Sequence, residues 1–198
     1  IFGNPINIPI NENHPKNPIN SYGETKLIGE KILEWYYKAY GIKNISLRYF
    51  NVAGSYKVLG ENRKTETHIL PLIFNSIIKQ KPFYIFGNNY NTKDGTCIRD
   101  YIHIEDLIDA HMLAFKKLDT IPFDFFNLGS ERGVSNLELV QLTSDLTGKD
   151  LKFDYKEKRY GDPSQLIASS EKAKKVLNWK NKNSINDIIL SLIKYYKI

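Results

Sequence analysis

Tyr22 and Lys26 stand four residues apart in the run SYGETKLIGEKILEW, residues 21–35, and residues of these types at this spacing could do acid–base chemistry. A phenol titrates near pH ~10 in water and is a poor base at neutral pH unless a fixed cation favours its anion. Residues four apart on a helix are neighbours, so the lysine ammonium could supply that cation. The pair could then take a proton from an alcohol hydroxyl. The same spacing also suits a tyrosine ring packed along a lysine stem, with no catalytic consequence. The rest of the chain has to separate the two readings.

The helix carrying the pair is predicted to start at Tyr22, with Ser21 as N-cap, Glu24 completing a capping box and Gly41 as C-cap. At roughly 100° per residue, Ile28, Ile32, Trp35 and Ala39 form one stripe, expected to be the core face. Tyr22, Lys26, Gly29 and Leu33 project from a second face, and a glycine and a leucine there suggest that it too is covered. Upstream, GNPINIPINENHPKNPIN reads as a loop delivering the chain to this helix. The opening IFGNP, with no initiator methionine, reads as the tail of a buried strand in a chain cut in its middle.

Downstream, NISLRYFNVAG is a β-rich run ending in a turn, and an apolar helix is expected from about His68 to Lys79. FYIFG, CIRDYIHI, FDFFNLGS and LKFDYKEK read as strands. EDLIDAHMLAFKKL reads as a helix with Leu107, Ala110, His111 and Ala114 on one face, and SNLELVQLTSDLTG as a helix capped by Ser135 with Glu138. Two more helices are expected near 170–177 and 184–197. The alternation of helix and strand argues for an α/β fold. No G-x-G-x-x-G turn follows a strand in these residues, so they contain no dinucleotide phosphate cradle.

With 198 residues at 41% hydrophobic content the chain can bury a sizeable core. No apolar run approaches the ~20 residues of a membrane span, and no charged-then-apolar leader opens the sequence, so no membrane partner is expected. The net charge of +6 suits an anionic ligand, but the lysines are scattered and form no basic run, so no nucleic-acid partner is expected. Cys97 is alone, which rules out an internal disulfide and suits a reducing, cytoplasmic compartment. It reads best as a small buried hydrophobe. His103, Asp106 and His111 lack the HxxxH spacing, so no metal site is expected.

Four stretches, SYGETK, LRYFNVAGS, IFGNNYNTKDGTCIRDYIHIEDL and RYGDPSQLIASSEKAKKVLNW, resemble in order and spacing the UDP-glucose 4-epimerases of the extended short-chain dehydrogenase/reductase superfamily. The resemblance runs over essentially the whole chain and matches the C-terminal part of such an enzyme. It implies the C-terminal part of a Rossmann-type NAD-binding domain in residues 1–54, with 98–130 returning to it, and a smaller α/β substrate domain in 55–198. It also implies bound NAD, a UDP-sugar substrate, transient oxidation at sugar C4, and a homodimer that packs the Tyr22 helix in a bundle.

By the same likeness Tyr22 is the catalytic acid/base, and Lys26 binds the nicotinamide ribose and lowers the tyrosine pKa, while Tyr49 and Phe50 lie where the strand passes the nicotinamide. Asn51 resembles a sugar-diphosphate contact, although a turn-forming asparagine before Gly54 is the other reading. His68 and Ile69 stand beside the diphosphate at a helix start, where backbone N–H groups favour phosphate, or His68 is a helix-terminal histidine without ligand. Tyr84 and Phe86 match the segment bordering the uracil, although an aromatic at strand spacing is more often core. Arg99 and Arg159 look like diphosphate clamps, with a structural Arg99–Asp100 pair as the alternative for the first. Asp162 looks like the uridine-ribose acceptor, and Leu166 lies beside the C2 substituent of the sugar or is a packing leucine. A sister UDP-sugar epimerase or dehydratase would share YxxxK but differ around NVAGS and NTKDGTCIRDY. A non-catalytic remnant that binds nucleotide sugar is the alternative of another class.

Overall fold

The computed structural model describes all 198 residues. Helix α1 (Ser21–Tyr40) leads into strand β1 (Asn44–Tyr49) and a short β2 (Asn51–Ala53). Then come α2 (Ile69–Lys79), β3 (Phe83–Phe86), β4 (Ile98–His103), α3 (Ile104–Lys117) and β5 (Phe123–Leu128). The chain finishes with β6 (Gly133–Ser135), α4 (Asn136–Thr147), β7 (Phe153–Lys156), β8 (Gln165–Leu166), α5 (Glu171–Leu177) and α6 (Ile185–Tyr196). The fold is α/β, as expected, and no helix is long and apolar enough to cross a membrane.

β1 runs parallel to β5, and after Phe50 the chain changes partner so that β2 runs parallel to β4. β4 also pairs antiparallel with β6 and parallel with β8, while β3 and β7 form a separate parallel pair. The turn after β2 demands glycine: Gly54 has φ 91°, and a Cβ there would sit 2.7 Å from the His103 ring.

Two apolar clusters hold these elements. Ile45 and Leu47 of β1 pack with Phe126 and Leu128 of β5 against Leu107, Ala110 and Ala114 of α3 and against α5. The second cluster gathers Leu70, Ile73 and Phe74 of α2, Phe83 and Ile85 of β3, Leu139 and Val140 of α4, and Ile188, Ile189 and Leu192 of α6. β4 serves both, giving Ile102 to the first and Tyr101 to the second. The predicted capping box of α4 is present, with Ser135 and Glu138 bonding each other's backbone, and α6 has an equivalent box of Ser184 and Asp187.

Five local expectations are corrected. The opening IFGNP is loop rather than strand, and residues 1–20 cross the molecule with one isolated bridge, Ile10 to Ala168. α1 is capped by Asn20, whose side chain accepts from Gly23 N–H at 2.8 Å, one residue before the expected Ser21. The stripe expected to be its core face is exposed, with Ile28, Ile32 and Trp35 at 45%, 49% and 68%, and Gly29 on the second face borders open space. The face toward the sheet instead runs through Gly23, Leu27, Glu30, Glu34 and Tyr37, with Tyr37 stacked on Phe123. His111 is exposed and does not share the buried face of α3, its Nδ1 meeting the Leu107 carbonyl at 2.8 Å.

Candidate active site

Ligands of parallel α/β sheets bind beyond the C-terminal ends of the strands, where neighbouring connections diverge. β1 ends at Tyr49, which is 52% exposed, and the change of partner at Phe50 opens the sheet there. Tyr22 and Lys26 lie in the first two turns of α1, both exposed, with Lys26 Nζ 5.2 Å from the centroid of the Tyr22 ring.

Register explains how β4 gathers several of the predicted residues. Side chains alternate along a strand, and partners in parallel register point to the same side. Asn51 is in register with Tyr101, and Arg99 with Leu166. Since Arg99 and Tyr101 are two apart on β4, all four side chains share one sheet face. Arg99 also approaches Asp162 at 3.8 Å, with its guanidinium mostly buried. Asp100 points the other way and accepts hydrogen bonds from the Ser130, Glu131 and Ala168 backbones, so the alternative Arg99–Asp100 pair is not formed.

Tyr101 was not singled out in the sequence. Its ring is buried in the second cluster, and its hydroxyl has no hydrogen-bond partner within the chain. Burial pushes the phenol up to about 12, against the opposing pull of Asn51 and Arg99 beside it. Asn51, in register with Tyr101, is the polar side chain beside that hydroxyl. The signal available in the sequence was its place two residues after Arg99 on a strand.

The β3–β7 pair supplies a second wall. Phe83 and Ile85 turn into the core, which sends Tyr84 and Phe86 to the other face. There the Arg159 guanidinium lies 4.0 Å from the Phe86 ring centroid and Lys156 Nζ lies 3.8 Å from that of Tyr84. Cations over aromatic faces are stabilised by the ring quadrupole, and the result is an aromatic surface rimmed with positive charge. Asp162 follows in the same loop, its backbone N–H bonding the Arg159 carbonyl.

His68 is the N-cap residue of α2 without a side-chain cap bond, and its Nδ1 meets the Glu61 carboxylate at 2.8 Å, with Ile69 half-buried behind it. Glu61, Glu66 and His68 bring their ligand atoms within 4.8 Å of one another. Arg63 already pairs with Glu61 at 2.5 Å, so the group is an ion-pair network at the surface, with Glu61 and Glu66 half-buried. His103, Asp106 and His111 each serve a local purpose: the first caps α3, the second accepts from Lys182 and Asn183 N–H, and the third bonds its own helix.

The GDP-mannose 4,6 dehydratase family model matches residues 1–192. A UDP-glucose 4-epimerase of Lactobacillus helveticus is 48% identical over 99% of this chain and 61% of its own length. One from Streptococcus mutans is 47% identical over 96% of this chain and 59% of its own. The crystal structure of the Bifidobacterium longum UDP-glucose 4-epimerase, in complex with NAD+ and UDP, superposes with a TM-score of 0.94 at 32% identity, over 99% of this chain and 60% of that one. The chain thus spans about 60% of the length of the relatives it matches. With the family model matched over nearly every residue, the chain belongs to the GDP-mannose 4,6 dehydratase family of extended short-chain dehydrogenases/reductases.

Proposed function

We propose that the whole protein interconverts UDP-glucose and UDP-galactose with bound NAD. The observation that carries this reading is the shared face of β4, where Arg99, Tyr101, Asn51 and Leu166 stand together beside Asp162. Guanidinium, amide and phenol donors suit a diphosphate. The aromatic wall of Tyr84 and Phe86, rimmed by Arg159, suits a uracil, and Asp162 suits the hydroxyls of its ribose. His68 and Ile69 add backbone N–H groups at the start of α2.

Tyr22 removes the proton from the sugar 4-hydroxyl and later returns it, with the Lys26 ammonium one turn along the helix beside its ring. Lys26, Tyr49 and Phe50 would hold the nicotinamide end of NAD, which fits the exposed end of β1. NAD supplies, when bound, a reversible two-electron oxidation at sugar C4. Residues 1–198 contain no glycine-rich turn after a strand, so these residues by themselves should neither hold NAD tightly nor turn over.

Residues 1–54 with 98–130 form the cofactor side and 55–198 the substrate side in this reading; the core does divide into two apolar clusters, although Ala173, Leu177 and Trp179 pack with the first and Tyr101 with the second. The exposed stripe of Ile28, Ile32 and Trp35 supports a homodimer through α1. A cytoplasmic location belongs to the same reading, and the lone Cys97 of these residues suits it. The sister enzymes are disfavoured by the epimerase-type NVAGS and NTKDGTCIRDY segments.

The test is conversion of UDP-galactose to UDP-glucose by the whole protein and by its Tyr22→Phe variant. Turnover should be present in the first and fall about 10²- to 10⁴-fold in the second. No conversion by the unaltered protein would remove the reading, and near-normal turnover by the variant would remove Tyr22 from it.

A further inference from the structure

α1 carries the proposed acid/base, yet little apolar packing holds it. Of its 20 residues only Gly23 and Leu27 are buried. A cleft of about 250 Å³, lined by Leu27, Glu30, Ser46, Phe123 and Phe125 among others, lies between the helix and the sheet. Close-packed side chains are what normally fix a helix on a sheet, and over this half of α1 they are sparse.

A two-pronged ion pair crosses that interface. Arg48 of β1 donates from Nε to Glu30 Oε1 at 2.5 Å and from Nη2 to Glu30 Oε2 at 2.7 Å. The two side chains are only 7% and 16% exposed. The guanidinium plane is held in turn, with its carbon 4.1 Å from the Phe125 ring centroid on β5, and Lys16 reaches Glu30 at 3.3 Å from the loop. Two parallel N–H···O bonds fix direction as well as distance, which a single point charge does not. Glu30 is one helical turn beyond Lys26 and two beyond Tyr22, and Arg48 directly precedes Tyr49.

Arg48 Nη1 is buried with no partner. A buried ion pair with an unsatisfied donor is a poor source of net stability, because desolvation offsets the Coulombic gain, and apolar replacements of similar size are often neutral or stabilising. Its geometric consequence remains: it sets the rotation and axial position of α1 on β1. We infer that Arg48 and Glu30 are positioning residues, which align Tyr22 and Lys26 with the end of β1 where Tyr49, Phe50 and Asn51 emerge. The inference rests on the epimerase reading above.

The experiment compares the whole protein with Arg48→Lys and with the apolar double variant Glu30→Leu/Arg48→Met. The urea midpoint reports stability, UDP-galactose kinetics report alignment, and amide hydrogen exchange over residues 22–30 reports the seating of α1. The double variant should keep its midpoint while kcat falls about 10- to 100-fold, the scale of a misplacement near 1 Å, with KM little changed. Exchange over 22–30 should quicken. Arg48→Lys, which keeps the charge and loses the fork, should fall between the two. A folded double variant with wild-type kcat would overturn the proposal, as would kcat falling only in step with the midpoint. Should the double variant not fold, unchanged kcat in Arg48→Lys overturns the proposal and a selective fall in kcat supports it. Should the unaltered protein not epimerise, the functional reading fails on its own, and unchanged exchange over 22–30 in the variants would still refute the positioning role.

Discussion

Asp100 Oδ2 accepts a hydrogen bond from the Ala168 backbone N–H at 3.0 Å, so the strand bearing Arg99 is tied to the segment that follows Leu166. The same carboxylate accepts from Ser130 N–H at 2.7 Å, Ser130 Oγ at 2.6 Å and Glu131 N–H at 3.1 Å. Burial pushes Asp100 above the ordinary aspartate range, and these donors from Ser130, Ala168 and Glu131 pull against that shift without cancelling it. One side chain therefore holds the turn after β5 and the strand β8 in fixed relation to β4.

Asp100→Asn should destabilise the protein by about 2–3 kcal/mol, because an amide group turns N–H bonds toward donors that need an acceptor. The measurement is the urea midpoint, with the slope unchanged. An unaltered midpoint would mean that the turn finds other acceptors.

Leu166 stands in register with Arg99, on the proposed sugar side of β8 and half-buried. A leucine is shorter than a tyrosine and larger than a serine, so the whole protein should turn over UDP-N-acetylglucosamine weakly. The ratio of kcat/KM for the N-acetylated and plain sugars should rise in Leu166→Ser and fall in Leu166→Tyr, since that ratio reports differential transition-state binding. A ratio that moves with neither substitution would place Leu166 away from the sugar.

Glu30 gives a pH dependence with a definite sign. Burial works to raise its pKa, but the hydrogen bond and charge of Arg48, with help from Lys16, outweigh it and hold the carboxyl below the ordinary glutamate range. A group depressed on folding contributes stability that is complete above its unfolded value, about 4.3, and is lost as pH falls through the lower folded value. Urea midpoints of the unaltered protein should therefore fall more steeply below about pH 4.3 than those of Glu30→Gln. Parallel curves for the two proteins would show that the Arg48 pair carries no such linkage.

Local chemistry explains what could be read in advance. The Ser135–Glu138 box, the Gly41 cap and the Pro- and Asn-rich loop before α1 are encoded within a few residues, and each falls where expected. The facing of α1 was not legible, because an apolar stripe marks a surface that prefers to be covered and not the element that covers it. Here the face toward the sheet is chosen by Glu30, whose partner lies 18 residues away on β1. Asn20 and Ser21 are both capable caps, and only the backbone could choose between them. Tyr101 and Asp100 sit in an ordinary strand, and their surroundings come from positions 30 and 68 residues distant as well as from Asn51.

The chain carries two tryptophans, and the fold has placed them in opposite optical environments. Trp179 is 1% exposed in the cluster behind β5, its indole N–H bonded to the Asp106 carbonyl at 2.8 Å, whereas Trp35 is 68% exposed on the outer stripe of α1. The first should fluoresce toward the blue and resist collisional quenchers such as iodide until the core opens. The second should emit toward the red and yield readily to iodide until something covers α1. Within residues 1–198, unfolding and occlusion of the helix thus write to separate bands of the same emission spectrum, which makes these residues their own two-channel probe without any added label.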